Sequence, residues 1–263
     1  MGGRGSSFYE KRTKEIEDIM FKTPKLIFKY KPDPESERND YNLFKNLKNN
    51  GISTRKSTDK ASLINLQPHQ QQIDKLVNKY SNITKEIPLE CDVELSKQNL
   101  NGALGFWVAS SKIKENGTFF TRLALSNIVI NKPDKYETLQ KHSITKNWSV
   151  DIDDKNLKLY TTTHEFGHML EENIIRGKFN KIRENKKVDI DWYEFRNKEV
   201  TKIKRSVEKI CKQNSNSDKI YLSNYSKTND YEWFAETFTN LELSNDPKPI
   251  ALALKEYLKE RNK

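Results

Sequence analysis

Two histidines four residues apart constrain this chain more than any other feature. They lie in Thr161-Thr162-Thr163-His164-Glu165-Phe166-Gly167-His168-Met169-Leu170-Glu171. Residues i and i+4 of a helix share a face one turn apart, so His164 and His168 can offer two imidazoles to one Zn²⁺. Glu165 sits beside them, where a carboxylate can take a proton from water at a metal. The pattern has this meaning only on a helix, which is expected from about Leu159 to Arg176, with Phe166, Met169, Leu170 and Ile174 buried. Gly177 reads as its C-terminal stop. Gly167 is expected to leave space beside the ion. The chain has only four histidines. Of the other two, His69 reads as a surface or capping residue at a helix start, and His142 as solvent-side or an outer partner of the metal site.

Zinc held by protein requires a third side chain. Ser223 to Phe238 offers one: Asn229 can cap a helix from about Asp230 to Leu241, which places Glu232 and Glu236 one turn apart. Glu232 is flanked by Trp233, Phe234, Ala235 and Phe238, a costly setting for a carboxylate without a partner. Glu171 and Glu172 compete at short range, lying beyond His168 on nearly the same face. One straight helix cannot easily wrap three ligands around one ion, so Glu232 is the better candidate, with Glu236 or Glu171 next.

The remainder reads as a supporting domain. Residues 1–60 are polar and interrupted by Pro24, Pro32 and Pro34, and form an accessory arm; residues 61–263 form the domain. A helix from Gln67 buries Ile73, Leu76 and Val77, with Pro68 in its first turn. Period-two alternation then marks strands at Ile87–Leu95, Ala103–Ala109 and Thr118–Ile130, the last two joined by a turn at Asn116-Gly117. A substrate strand could pair with an edge near Leu123 to Ile128. Asn131 to Asp154 reads as a polar connection, and Lys178 to Lys198 as basic and irregular. Helices follow at Glu199–Lys212 and Ile250–Arg261, the latter packing Leu252, Leu254 and Leu258. The expected class is α+β and zincin-like, a small mixed or antiparallel sheet packed on the histidine helix, with a helical C-terminal subdomain carrying the third ligand.

Composition sets outer limits. The formal charge is +10 from 47 basic and 37 acidic residues, and mean hydropathy is −0.91. Such a balance permits an anionic partner, including nucleic acid, although no zinc finger, RNP motif or obvious helix-turn-helix is present and lysine-rich coding bias explains it as well. No stretch reaches the roughly 20 apolar residues of a membrane span. The N-terminus lacks an apolar export signal, which suggests synthesis as a soluble cytoplasmic protein and any delivery by a non-Sec route. Cys91 and Cys211 are too few for a disulfide framework and read as reduced thiols.

His164-Glu165-Phe166-Gly167-His168, with Tyr225, Thr228-Asn229, Glu232, Phe234-Ala235-Glu236 and Phe238, resembles the catalytic domain of anthrax lethal factor and its relatives. This gluzincin-like group includes domains attached to phage head-morphogenesis proteins and secreted toxins. The resemblance covers about residues 65–245 in order of elements and is specific over the two motifs. It implies that His164, His168 and Glu232 bind one Zn²⁺ per chain and that Glu165 is the general base. It implies a hydroxyl from Tyr225 for the oxyanion and Glu236 as an orienting partner of a ligand histidine. The interval between the motifs is longer than in lethal factor, so the walls of the substrate cleft do not carry over. Residues 1–60 have no counterpart there, so neither do its delivery and its substrates. The expected activity is a zinc-dependent endopeptidase acting on a protein or peptide, in a toxin or a mobile-element effector. A repressor-cleaving protease of a mobile element, or a non-catalytic nucleic-acid or virion-binding protein, are the other readings.

Overall fold

Apolar residues at helical spacing build most of what holds this molecule together. The structure is a computed structural model that describes residues 52–53, 60–85, 89–96, 104–113, 119–186, 191–215, 217 and 219–262. Strand β1 (Ile52–Ser53) precedes α1 (Lys60–Lys79) and α2 (Ser81–Lys85). Strands β2 (Leu89–Ser96), β3 (Gly105–Ile113) and β4 (Phe119–Ser126) follow, then α3 (Asn127–Asn131) and α4 (Pro133–Thr145). A 3-10 turn at Asp154–Leu159 leads into the long α5 (Tyr160–Lys186) and then α6 (Trp192–Ser215). A second 3-10 turn, Tyr225–Lys227, precedes α7 (Asp230–Leu243) and α8 (Pro249–Arg261).

The expected α+β class, with a sheet as the structural partner of the histidine helix, is corrected to a helical protein. Where side chains are described, helix accounts for about 80% of residues. Among the described buried apolar side chains, Leu125 alone belongs to a strand. The backbones of β1 to β4 pair in the order β1-β2-β4-β3, with β2 parallel and β3 antiparallel to β4. In that order β4 is flanked on both sides, so the expected use of an edge near Leu123 to Ile128 by substrate is withdrawn. Alternation over a few residues reports a local extended backbone, not how much of the core those residues supply. The Asn116-Gly117 turn and nearly all of the arm at residues 1–60 lie outside the described residues.

The core is helix against helix. Phe166, Met169 and Leu170 of α5 are buried, as are Trp233, Phe234, Ala235 and Phe238 of α7, and the Phe166 and Phe238 rings stack at 6.0 Å. Val200, Ile203, Val207 and Cys211 of α6 face inward, as do Ile250, Leu254, Tyr257 and Leu258 of α8. Leu252, expected to be buried, is 49% exposed. At 100° per residue it lies on the opposite side of α8 from Leu254.

Several helices extend beyond their local signals. Pro68 lies inside α1 rather than in its first turn. The connection expected at Asn131–Asp154 contains α4, whose narrow buried stripe is Tyr136 and Gln140, too polar to register as periodic apolarity. Helix α5 continues past Gly177 to Lys186 because Phe179 is held in ring contacts with Trp192 and Phe195 at 5.1 and 5.3 Å. Tertiary packing there outweighs the roughly 1 kcal/mol propensity cost of a glycine. Among the described residues no helix is long and apolar enough to cross a membrane.

Candidate metal centre

Three consecutive threonines open α5, and β-branched residues are mediocre helix formers. Neighbouring helices secure them. The Tyr136 hydroxyl of α4 lies 2.7 Å from Thr161 Oγ1 and accepts the Thr161 amide at 3.0 Å. From α1, His69 Nδ1 lies 2.7 Å from Thr162 Oγ1, and Gln72 donates to Thr163 Oγ1 at 3.1 Å. His69 is therefore a buried brace, not the expected surface or capping residue.

Burial, with the nearby Lys158 charge adding to it, lowers the His69 pKa to about 4. Its folded pKa is depressed, so its contribution to stability is complete above the ordinary value near 6.5 and is lost as pH falls towards 4. Between pH 7 and 4.5 the wild type is expected to lose about 2–3 kcal/mol more unfolding free energy than His69→Gln, from the linkage between folding and protonation. Urea titrations of both proteins at the two pH values measure this. Equal losses would remove His69 as the cause.

Helix α7 brings the third candidate ligand, Glu232. The Asn229 side chain accepts the Glu232 amide at 2.9 Å, the expected N-cap, and Trp233 Nε1 donates to the Ile220 carbonyl at 3.0 Å. Glu232 Oε2 then lies 3.0 Å from His164 Nε2 and 3.3 Å from His168 Nε2. One ligand atom from each of the three residues falls within 4.8 Å of the others. Donors at zinc bond lengths of about 2.0–2.1 Å on tetrahedral corners are about 3.3–3.4 Å apart. Both the donor types and their spacing suit a metal ion, and His164, His168 and Glu232 can hold one. Burial alone would lower the His164 pKa, but its bonds to Glu232 and Glu236 prevail and hold it well above the usual value. Burial alone would raise Glu232, but His168 and His164 hold it well below the usual carboxylate range.

Close approach of α5 and α7 sets this convergence. A Cβ on Gly167 would meet Ala235 Cα at 3.0 Å and the Phe238 ring at 3.3 Å. Gly167 thus admits the backbone of α7, rather than leaving space beside an ion as expected. Gly167→Ala gains about 1 kcal/mol of helix propensity but overpacks the interface by about 1–3 kcal/mol. Because the clash is with backbone, the helices must separate. The variant is expected to bind zinc about tenfold or more weakly, as lost ligand positioning does elsewhere. A chelator-competition titration reads this directly, and unchanged affinity would show that the separation does not reach the ligands.

Behind His164 lies Glu236, which is fully buried. Its Oε1 is 3.1 Å from His164 Nδ1 and accepts the Tyr160 hydroxyl at 2.5 Å. Its Oε2 accepts the Val150 amide at 2.8 Å and the Ser223 hydroxyl at 2.7 Å. This arrangement fixes the ring so that Nε2 faces Glu232. The two motifs by themselves assign no part to Tyr160, Ser223 or the Val150 amide. Only tertiary structure brings them together, and no spacing in the chain announces them.

Comparison with protein-family models, with curated proteins and with solved structures finds no match. The other sequence candidates are therefore placed by geometry alone. Tyr225, in the second 3-10 turn, lays its ring over His164 at 5.7 Å and 22°. Glu165 is buried beside His164 on α5. Burial pushes the Tyr136 hydroxyl up to about 12 against the opposing bonds to Thr161, and the Glu165 charge adds to the rise. Glu171 and Glu172 point to arginines instead: Arg196 donates to Glu171 at 2.6 Å, and Arg176 donates to Glu172 at 2.7 Å. His142 is exposed on α4 and is not one of the three residues whose ligand atoms converge.

Proposed function

We propose that the protein is a zinc-dependent metalloendopeptidase of lethal-factor-like type, holding one Zn²⁺ per chain on His164, His168 and Glu232. The carrying observation is the convergence of these three ligand atoms with Glu165 on the same helical turn as the histidines. A bound zinc ion would supply Lewis acidity, polarising a carbonyl and lowering the pKa of a water. Glu165 takes the proton from the attacking water and returns it to the departing amine. The Tyr225 hydroxyl donates to the developing oxyanion, where a hydrogen bond is most useful in the transition state. Glu236 keeps the His164 ring in one orientation. The substrate is a protein or peptide.

The test is zinc analysis of the purified protein joined to cleavage of unfolded protein substrates read by mass spectrometry. About one zinc per chain, with cleavage abolished by chelation and restored by zinc, supports the reading. Stoichiometric zinc without cleavage of any such substrate counts against it.

A second reading draws on α6. Lys198, Lys202, Arg205, Lys209 and Lys212 are exposed at alternating four- and three-residue steps. Lys198 and Lys202 are paired with Glu194 and Glu199, so Arg205, Lys209 and Lys212 carry this reading, a basic stretch about 10 Å long at 1.5 Å per residue and suited to a polyanion such as nucleic acid. Salt-dependent DNA binding that survives chelation, without peptide hydrolysis, would favour this reading.

A further inference from the structure

The exposed Trp148 has no part in holding the metal ligands, yet it is attached to them. It is 51% exposed, an unusual position for the largest apolar side chain. Its ring meets Tyr225 at 5.6 Å and 30°, and Tyr225 in turn covers His164. The column continues to Tyr160, stacked on His164 at 6.3 Å and 15°.

The segment that carries Trp148 is held on both sides. The Tyr225 amide donates to the Trp148 carbonyl at 3.0 Å, and the Asn224 amide to the Asn147 carbonyl at 2.8 Å. Asn147 has a φ of 54°, the left-handed region that asparagine tolerates better than most residues. Two residues after Trp148, the Val150 amide binds Glu236, the same carboxylate that orients His164. A single exposed tryptophan on a surface needs no explanation. This one is fixed by backbone bonds two ring contacts from a metal ligand, which is how a preorganised recognition surface is built.

We propose that Trp148 is a specificity-determining residue, an aromatic platform that receives a large apolar side chain of the peptide substrate beside the metal. This inference rests on the metallopeptidase reading above and names its substrate class. Aromatic surface gains most from apolar or aromatic partners. Cationic side chains are the other guests of an indole face, but the exposed Lys146 and Lys227, two residues along the chain from Trp148 and from Tyr225, disfavour them.

The test uses the zinc-loaded full chain and two metal-directed probes that differ only in side chain, N-acetyl-phenylalanine hydroxamate and N-acetyl-glycine hydroxamate. Calorimetric titration gives both affinities for the wild type, Trp148→Ala and Trp148→Phe. The wild type is expected to bind the phenylalanine probe about tenfold or more tightly than the glycine probe, the scale of one buried apolar group. Trp148→Ala should lose that preference while keeping its affinity for the glycine probe, and Trp148→Phe should restore most of it. A merely structural role for Trp148 would weaken both probes together and overturn the proposal, as would a preference that survives in Trp148→Ala. If neither probe binds the wild type, the metal-site reading itself fails and the inference with it.

Discussion

Glu232→Ala is expected to abolish stoichiometric zinc binding while the chain stays folded. Without Glu232, two imidazoles remain on one helix, and zinc sites of the catalytic kind use three protein ligands. Loss of an orienting partner alone costs about 10–100-fold in metal affinity. Loss of a ligand should exceed that upper value, which corresponds to about 2.8 kcal/mol. The fold should survive because α7 keeps its Asn229 cap residue and its buried Trp233, Phe234 and Phe238. His164 also keeps one carboxylate partner in Glu236. Elemental analysis after dialysis against limiting zinc measures the effect, with circular dichroism to verify folding. Glu171→Ala is the informative control. It removes a buried carboxylate about one turn beyond His168 on α5, but one bound to Arg196. That variant should be less stable yet retain zinc. Zinc held by a folded Glu232→Ala protein would show that the third ligand lies elsewhere.

Glu236 shows why part of this site was legible in the sequence and part was not. The His164–His168 pair is written locally, because one helical turn is all that its geometry requires. Glu232 could be found because it breaks a local rule, a carboxylate inside a run of large apolar residues. Glu236 could be associated with it by helical spacing, but its role depends on Tyr160, Ser223 and Val150, which come from separate parts of the chain. Glu171 and Glu172 remained competitors until Arg196 and Arg176 were seen to occupy them. Gly167 stands out in the local sequence but its reason does not, because local sequence does not reveal a facing Ala235.

The same division applies to the fold. Helices with continuous apolar stripes, such as α6 and α8, were legible, α8 with both ends to within one residue and α6 without its first two turns. Helix α4 was missed because Gln140 occupies part of its buried face. The error in fold class has a related origin. Extended segments have a clear two-residue period, whereas helices charged on their outer faces resemble solvated connections until their partners are known.

Glu165→Gln should separate chemistry from metal binding. The amide has nearly the shape of the carboxylate and stays at the same position of α5, so His164, His168 and Glu232 should retain their arrangement and zinc content should remain near one per chain. What the amide lacks is basicity. It cannot remove a proton from the attacking water or return one to the leaving amine, and positioned proton transfer contributes about 10²–10⁴-fold to such reactions. On any substrate that the wild type cleaves, kcat is therefore expected to fall by about that factor with little change in KM, because the lost interaction belongs to the transition state. The contrast with Glu232→Ala makes the experiment decisive: that variant should lose metal and turnover together, whereas Glu165→Gln should lose turnover alone. Wild-type activity in Glu165→Gln would eliminate Glu165 as the base. Loss of zinc in that variant would instead make the glutamate part of the ligand set, and the division of labour between the two carboxylates would have to be redrawn.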